Sequence, residues 1–339
     1  MNAQKHHYVP KLILRNFLFD KKREFVRVYD KKEDKEFKTS INNIMAERRF
    51  NDFTFDEYIV SFENVAGKIE EVILPAYRSV IEARRLSGSP EERGALALLI
   101  AFQFVRTRAA RDRWKQMDDI LREKIEAMGG LIEDIRGYEP PTENNLAKNH
   151  VLHMREAVSK FAPVIAEKNF ALMISNGRRK FYLGDNPVVM HNEHDFGFFG
   201  NIGLAVKGIQ IFLPLTCDLV LCAFCPTIAD EMYSRMASII KDRDELIASR
   251  VLSGEILLSQ SQQLRSELEK KDRETYKEIS SFDQSGVILA GDEHVDFINS
   301  LQSMYATRFV ICSKGDLQLA RLHNAEFPQF RQGYVMRAV

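Results

Sequence analysis

Apolar residues along this chain change rhythm near its middle. In the first half they recur mostly at spacings of three and four, the period of a helix face. Lys11 to Phe19 has this spacing. So does Phe55 to Ala83, through Ile59, Phe62, Val65, Ile69, Val72, Ile73, Tyr77, Val80 and Ile81, with Pro75 expected to bend the helix. Ser87-Gly-Ser-Pro-Glu-Glu then ends one helix and caps the next. Glu91 to Met128 reads as one long helix, apolar on nearly all sides at first and charged at its end. Between these, Glu24 to Asp30 alternates as a strand, and the charged turn Asp30 to Lys35 leads into a return strand, Glu36 to Thr39.

Gly129-Gly130 and the Pro-containing stretch 137–145 read as a linker, after which Leu146 to Ala166 resumes helical spacing. Beyond it the texture turns to strands. Asn169 to Ser175 is followed by Asn176-Gly177, a pair that favours a tight hairpin, and then by Lys180 to Val189. His191 to Gly208 reads as a polar loop over a site, and Ile209 to Phe224 as two strands. Thr227 to Ser281 returns to helical spacing with many charges, and Asp292 to Tyr305 reads as a helix feeding the strand Thr307 to Cys312. The fold class expected is α+β: a helical first half packed on a mainly antiparallel sheet formed largely by the second half. We expect one large domain, 1–339, with a soft subdivision into a mainly helical part, 1–136, and a sheet-containing part, 146–339, that carries the charged helical stretch 227–281.

Composition narrows the function classes. Forty-eight Lys plus Arg balance forty-eight Asp plus Glu over 339 residues, so no global field draws the whole molecule to nucleic acid or lipid, and any such binding is local. The apolar runs fall short of a membrane span and the polar start lacks a signal-peptide core, so a cytoplasmic setting without membrane association is expected. Cys217, Cys222 and Cys225 have the spacing of iron–sulfur ligands, with Cys312 as a distant fourth. Their apolar, strand-like surroundings instead predict buried small hydrophobes.

Candidate chemistry begins at the amino terminus. His6 and His7 directly precede a packed segment, and adjacent side chains of an extended backbone point to opposite faces, so one of the two is expected to face a site. Asp185 follows a strand and precedes Asn186-Pro187, where a carboxylate is held at a sheet end; an Asx turn is the structural alternative. Gln103 and Arg106 share a helix face within an apolar stretch. A buried Arg needs an acidic partner or anionic ligand, so Asp185, a phosphate, or Glu63, Glu70 or Glu71 of the preceding helix are candidates. Arg108, Arg111, Arg113 and Lys115 read as a solvated face. His150 and His153, and His191 and His194, are spaced for shared metal coordination. Phosphate-binding P-loop, dinucleotide and hydrolase-elbow motifs are absent.

The segments His6-His7-Tyr-Val-Pro10, Leu14-Arg-Asn-Phe17, Gln103-Phe-Val-Arg-Thr107, Gly184-Asp-Asn-Pro-Val-Val189 and Leu213-Pro-Leu-Thr216, with Asn299 before Tyr305-Ala-Thr-Arg308, occur in this order. Together they resemble a bacterial family, domain of unknown function 4238. The resemblance implies a mostly cytoplasmic protein and marks positions to inspect, and it implies no reaction.

Two readings of function stand side by side. In the first, His6 or His7, Asp185, Asn186, Arg106, Gln103 and Asn299 form a phosphoryl-transfer site, that of a metal-dependent nuclease or phosphodiesterase in a bacterial defence setting. A divalent metal ion would be held by His7 and Asp185, or by His191 and His194, and nucleic acid or a phosphorylated small molecule would be the partner. In the second, the same network only holds the amino terminus onto the sheet of a non-catalytic binding or regulatory protein, and the charged helices offer a face for partners or homo-oligomers. Geometry separates them: an open pocket lined by these groups favours the enzyme, and a sealed, fully paired network favours the binding protein.

Overall fold

A computed structural model describes residues 5–196, 200–282 and 286–334. The chain opens with β1 (Lys5–His7) and a short helix, α1 (Lys11–Leu14), then the hairpin β2 (Phe25–Asp30) and β3 (Lys35–Ser40). The hairpin turn forms because Asp30 Oδ1 accepts the amides of Lys32 and Glu33 at 3.0 and 3.2 Å, an Asx turn. β4 (Ala46–Arg48) pairs with β1, and β5 (Asp52–Phe55) with β6 (Tyr58–Ser61).

That last ribbon corrects the expected helix start at Phe55. Asp56 and Glu57 both take left-handed backbone angles, φ 44° and 68°, the requirement of a two-residue hairpin turn. The helical spacing of Ile59 is therefore incidental, and its side chain is exposed. The helix begins eight residues later as α2 (Glu63–Ala83).

The long helix expected from Glu91 is also two. Ser89 caps α3 (Pro90–Val105), with Pro90 in its first turn and Glu91 and Glu92 favourably placed there. The helix stops at Arg106, and Thr107 starts α4 (Arg108–Ala127) by accepting the Ala110 amide on its hydroxyl at 3.2 Å. Thr142 caps α5 (Glu143–Ala166) in the same way.

The second half supplies β7 (Asn169–Ser175), β8 (Leu183–Gly184), β9 (Val189–His191), β10 (Gln210–Thr216) and β11 (Leu219–Phe224). It continues with α6 (Pro226–Leu252), α7 (Leu258–Ser280), β12 (Val287–Ala290), α8 (Asp292–Tyr305), β13 (Phe309–Cys312) and α9 (Gln318–Glu326). The charged stretch 227–281 is thus an antiparallel helix pair: Arg243 grips Asp272 through two bonds of 2.8 and 2.9 Å, and Tyr233 stacks on Tyr276.

Two larger sheets replace the single one expected. One has five strands in the order β12-β7-β11-β10-β9, antiparallel except for β12 beside β7. The other is antiparallel in the order β3-β2-β13-β8, so half of it comes from the first half of the chain. No tight hairpin forms at Asn176-Gly177. The chain there leaves β7 and crosses to the second sheet, held by Asn176 N–H on Ala290 O (3.1 Å) and Arg179 N–H on Asp292 Oδ1 (3.1 Å). The fold is α+β, and its main core cluster unites both halves, from Ile13, Phe17, Ile73 and Leu96 to Phe170 and Leu221. Among the described residues no helix is long and apolar enough to cross a membrane.

Register fixes what the five-stranded sheet presents. His191 lies opposite Gln210, Gln210 opposite Phe224, Phe212 opposite Cys222, and Met173 opposite both Val220 and Ile288. Because faces alternate along each strand, His191, Gln210, Phe212, Phe224, Met173 and Ile288 all stand on one face.

Candidate functional site

The opening segment is clasped at its backbone by two side chains from the end of α3. Gln103 Nε2 donates to Tyr8 O at 3.0 Å and Arg106 Nη2 to His7 O at 2.8 Å, so these two side chains from one helix face hold consecutive carbonyls. Arg106 Nη1 meets Glu70 Oε1 at 2.6 Å. Its acidic partner is thus the preceding helix and not Asp185, and the guanidinium is filled without a bound anion.

His6 and His7 do alternate. His6 is fully buried and its Nδ1 accepts the Asn51 amide at 3.0 Å. His7 points the other way, its Nε2 donating to Ile41 O at 2.8 Å. Burial, ahead of the nearby Lys11 and Arg106 charges, lowers the His7 pKa. The side chain turned towards the Asp185 corner is instead Tyr8: burial first, then the Asp185 and Glu47 charges, push its phenol well up.

Asp185 is 1% exposed and occupied on both oxygens. Oδ1 accepts the Thr307 amide at 2.7 Å, and Oδ2 accepts the Thr307 hydroxyl and the amides of Arg308 and Phe309 at 2.9, 2.9 and 3.0 Å. The carboxylate fills an amide nest at the entry to β13. Burial pushes its pKa up, while these bonds and the Lys31 ammonium oppose that rise. Lys31 is itself buried, donates to the carbonyls of Ser303, Ala306 and Phe330 at 2.6, 2.5 and 2.7 Å, and is lowered by burial to about 8.

Asn186 links the corner to the helices by accepting the Thr107 hydroxyl at 3.1 Å. Asn299 lies on α8 and binds Tyr182 N and Lys180 O at 2.7 and 2.9 Å. Gln302, one turn on, binds Gly184 N and Pro187 O, both at 2.8 Å. Two amide side chains thereby serve residues 180–187 as a substitute strand. Gly184 permits this approach, because a Cβ there would lie 2.9 Å from Gln302 O.

The predicted residues are thus not gathered around one pocket: His7, Gln103 and Arg106 hold the opening segment, Asp185 fills its own amide nest, Thr107 bridges the two through Asn186, Asn299 borders a separate cavity, and Gln103 Oε1 has no hydrogen-bond partner among the described residues. Among the described residues no three His, Cys, Asp or Glu side chains gather in a metal-holding arrangement. His150 donates from Nε2 to Val105 O at 2.8 Å and accepts Arg111 on Nδ1, while His153 packs edge-on to Trp114 and Phe161. Arg111 departs from the expected solvated face: it is buried over the Phe50 ring, hydrogen-bonded to Phe50 O, and burial lowers it to about 10. Cys217, Cys222, Cys225 and Cys312 are free thiols, all buried except the half-buried Cys217.

Of the cavities outside the clasp, two take in residues singled out from the sequence. One, of about 440 Å³, is walled by Arg178, Arg179, Lys180 and Lys314 against Asp296 and Asp316, with Asn299 at its base. Arg179 pairs with Asp296, and Asp316 caps the Gln318 amide at 3.1 Å. Among the described residues Arg178, Lys180 and Lys314 engage no hydrogen bond or ion pair through their side chains. The other cavity, of about 600 Å³, takes in His191 and His194 together with the sheet face described above. Tyr8, Lys31, Thr107, Gln302 and Thr307 escaped sequence reasoning, as isolated polar residues without a motif. The Arg178-Arg179-Lys180 run was visible but lay next to the supposed hairpin.

The sheets and the clasp define an α+β protein whose amino-terminal strand is held by polar contacts to residues 41–106, with Thr107 bridging from there to Asn186 of the second half. The chain belongs to the family described as Protein of unknown function (DUF4238), whose pattern matches residues 5–316. No curated protein and no solved structure matches it.

Proposed function

We propose that this chain is a non-catalytic binding protein for a phosphate-bearing ligand, with the His/Asp/Arg network acting as a structural clasp. The cavity at Arg178, Lys180 and Lys314 carries the reading. Four cations face two carboxylates there, and among the described residues three of the cations make no side-chain hydrogen bond or ion pair, which leaves donors and net positive charge for phosphoryl oxygens. The Asp185 corner supports the same reading from the other side. A general base or metal ligand needs a lone pair that substrate can reach, and Asp185 is buried with both oxygens turned to the Thr307–Phe309 donors.

Calorimetric titration with pyrophosphate tests this. Wild type is expected to bind at one site, with Arg178→Ala/Lys180→Ala weakening binding about tenfold, the loss expected for two partly solvated charge contacts. No binding by wild type at millimolar pyrophosphate, or equal binding by the double variant, overturns the proposal.

A further inference from the structure

The larger cavity is built by a whole sheet face. His191 comes from β9, Phe212 from β10, Phe224 from β11, Met173 from β7 and Ile288 from β12, so every strand of the five-stranded sheet contributes to its floor. Ile228 and Met232 of α6 and Phe297 of α8 close the sides. Neighbouring rings touch in series: Phe282 to Phe224 at 5.2 Å, Phe224 to Phe212 at 5.9 Å, Phe212 to Phe297 at 6.3 Å and Phe297 to His191 at 5.0 Å between centroids. Most of these contacts are edge-on or tilted, which leaves ring faces and edges for a flat guest.

The rim is polar and partly uncommitted. His194 Nε2 and Lys207 Nζ lie 3.3 and 2.9 Å from the Glu231 carboxylate, so that charge is matched. Gly208 lets the loop close over the sheet: its φ is +77°, and a Cβ there would lie 2.2 Å from His194 Cδ2. Arg235 stands one turn after Glu231 on α6 and lines the same cavity. Among the described residues no hydrogen bond or ion pair engages the side chains of Arg235, His294 or Gln210, all at the rim. Glu193 is the one rim carboxylate without a cationic partner among them. A volume of about 600 Å³ with an apolar floor and few convergent polar groups is the form of a small-molecule site.

We infer that this cavity binds a small planar aromatic molecule bearing an anionic group, its rings inserted among Phe212, Phe224 and Phe297 and its charge held at the rim by Arg235 and His294. The site is separate from the Arg178/Lys180 cavity and does not depend on the phosphate reading.

The probe is 8-anilinonaphthalene-1-sulfonate, a flat aromatic anion followed by fluorescence. Wild type is expected to bind one equivalent in the micromolar range. Arg235→Gln weakens binding about fivefold and Glu193→Gln strengthens it, the effects of single partly solvated charges. Ile228→Trp fills the cavity and removes binding. Arg178→Ala/Lys180→Ala leaves it unchanged, which separates this site from the phosphate reading. N-phenyl-1-naphthylamine, which lacks the sulfonate, binds at least about fivefold more weakly. Circular dichroism confirms that each variant is folded. Failure of wild type to bind, unchanged binding in folded Arg235→Gln and Ile228→Trp, or equal binding of the uncharged analogue overturns the inference.

Discussion

Asp185→Asn exchanges one carboxylate oxygen for an NH2 group and keeps the shape of the side chain. In the native clasp Oδ1 serves the Thr307 amide and Oδ2 serves three further donors. The best asparagine rotamer keeps its oxygen at the three-donor position and turns its NH2 on the Thr307 N–H. One buried donor then loses its acceptor, at about 1–3 kcal/mol, and three charge-assisted bonds become neutral ones, at roughly 1 kcal/mol each. Part of this returns because no charge has to be kept in a site whose burial raises the carboxyl pKa. The net loss is about 3 kcal/mol. With an unfolding entropy of roughly 2.1 cal/mol/K per residue, a chain of this length melts about 4 °C lower. Melting followed at 222 nm measures this, and pyrophosphate affinity below the transition should be unchanged. A melting temperature equal to or above that of wild type refutes the structural assignment of Asp185.

Three further predictions probe the surroundings of the clasp. Burial, then the Arg111 charge, hold His150 at about 3 in the folded chain against 6.5 when unfolded. The unfolded state therefore takes up a proton first, and stability present above pH 6.5 falls by up to about 1.4 kcal/mol per unit as pH drops towards 3. His150→Gln should flatten that slope in pH-dependent urea unfolding, and identical slopes in the two proteins would show the ring titrating normally. Arg106→Ala leaves Glu70 and the His7 carbonyl without their shared donor, costing about 3 kcal/mol, and should speed tryptic cleavage near Lys5 and Lys11; unaltered cleavage kinetics would count against the clasp. Gly208→Ala forces a Cβ against His194 at a left-handed φ, so a loss of about 1–2 kcal/mol is expected, with weaker naphthalene-sulfonate binding as the loop shifts; a neutral result in both would mean that the loop closes otherwise.

Much of the α+β character could be read from the alternation of Glu24 to Asp30 and Asn169 to Ser175 and from the helical spacing around α2 and α5. What escaped were local decisions made by backbone geometry. Asp56 and Glu57 form a hairpin turn without glycine, so nothing in composition marked it. The break at Arg106 depends on the Thr107 hydroxyl capping α4, a signal present in the sequence but masked by the apolar run before it. Pairing of β8 with β13, and of β2 with β13, joins residues far apart in sequence, and neither periodicity nor turn chemistry specifies such partners. In the clasp, the residue types were legible and their roles were not. His7, Gln103 and Arg106 do gather at the opening segment, whereas Asp185 meets Thr307 to Phe309 and not the two imidazoles, and only the three-dimensional bonding reveals that backbone amides and carbonyls occupy these groups. The aromatic cavity was hidden because its floor is assembled from one or two residues of each of five strands, with no two of its phenylalanines close in sequence.

The central claim is that Asp185 holds the fold together and performs no chemistry. The most direct test is the hydrolysis rate of single-stranded RNA, plasmid DNA and bis(p-nitrophenyl) phosphate, with Mg²⁺ or Mn²⁺ supplied, by wild type and Asp185→Asn at a temperature where circular dichroism shows both folded. The structural assignment predicts the same rate for the two proteins, at background or otherwise. Turnover by wild type that vanishes in the folded asparagine variant would contradict it.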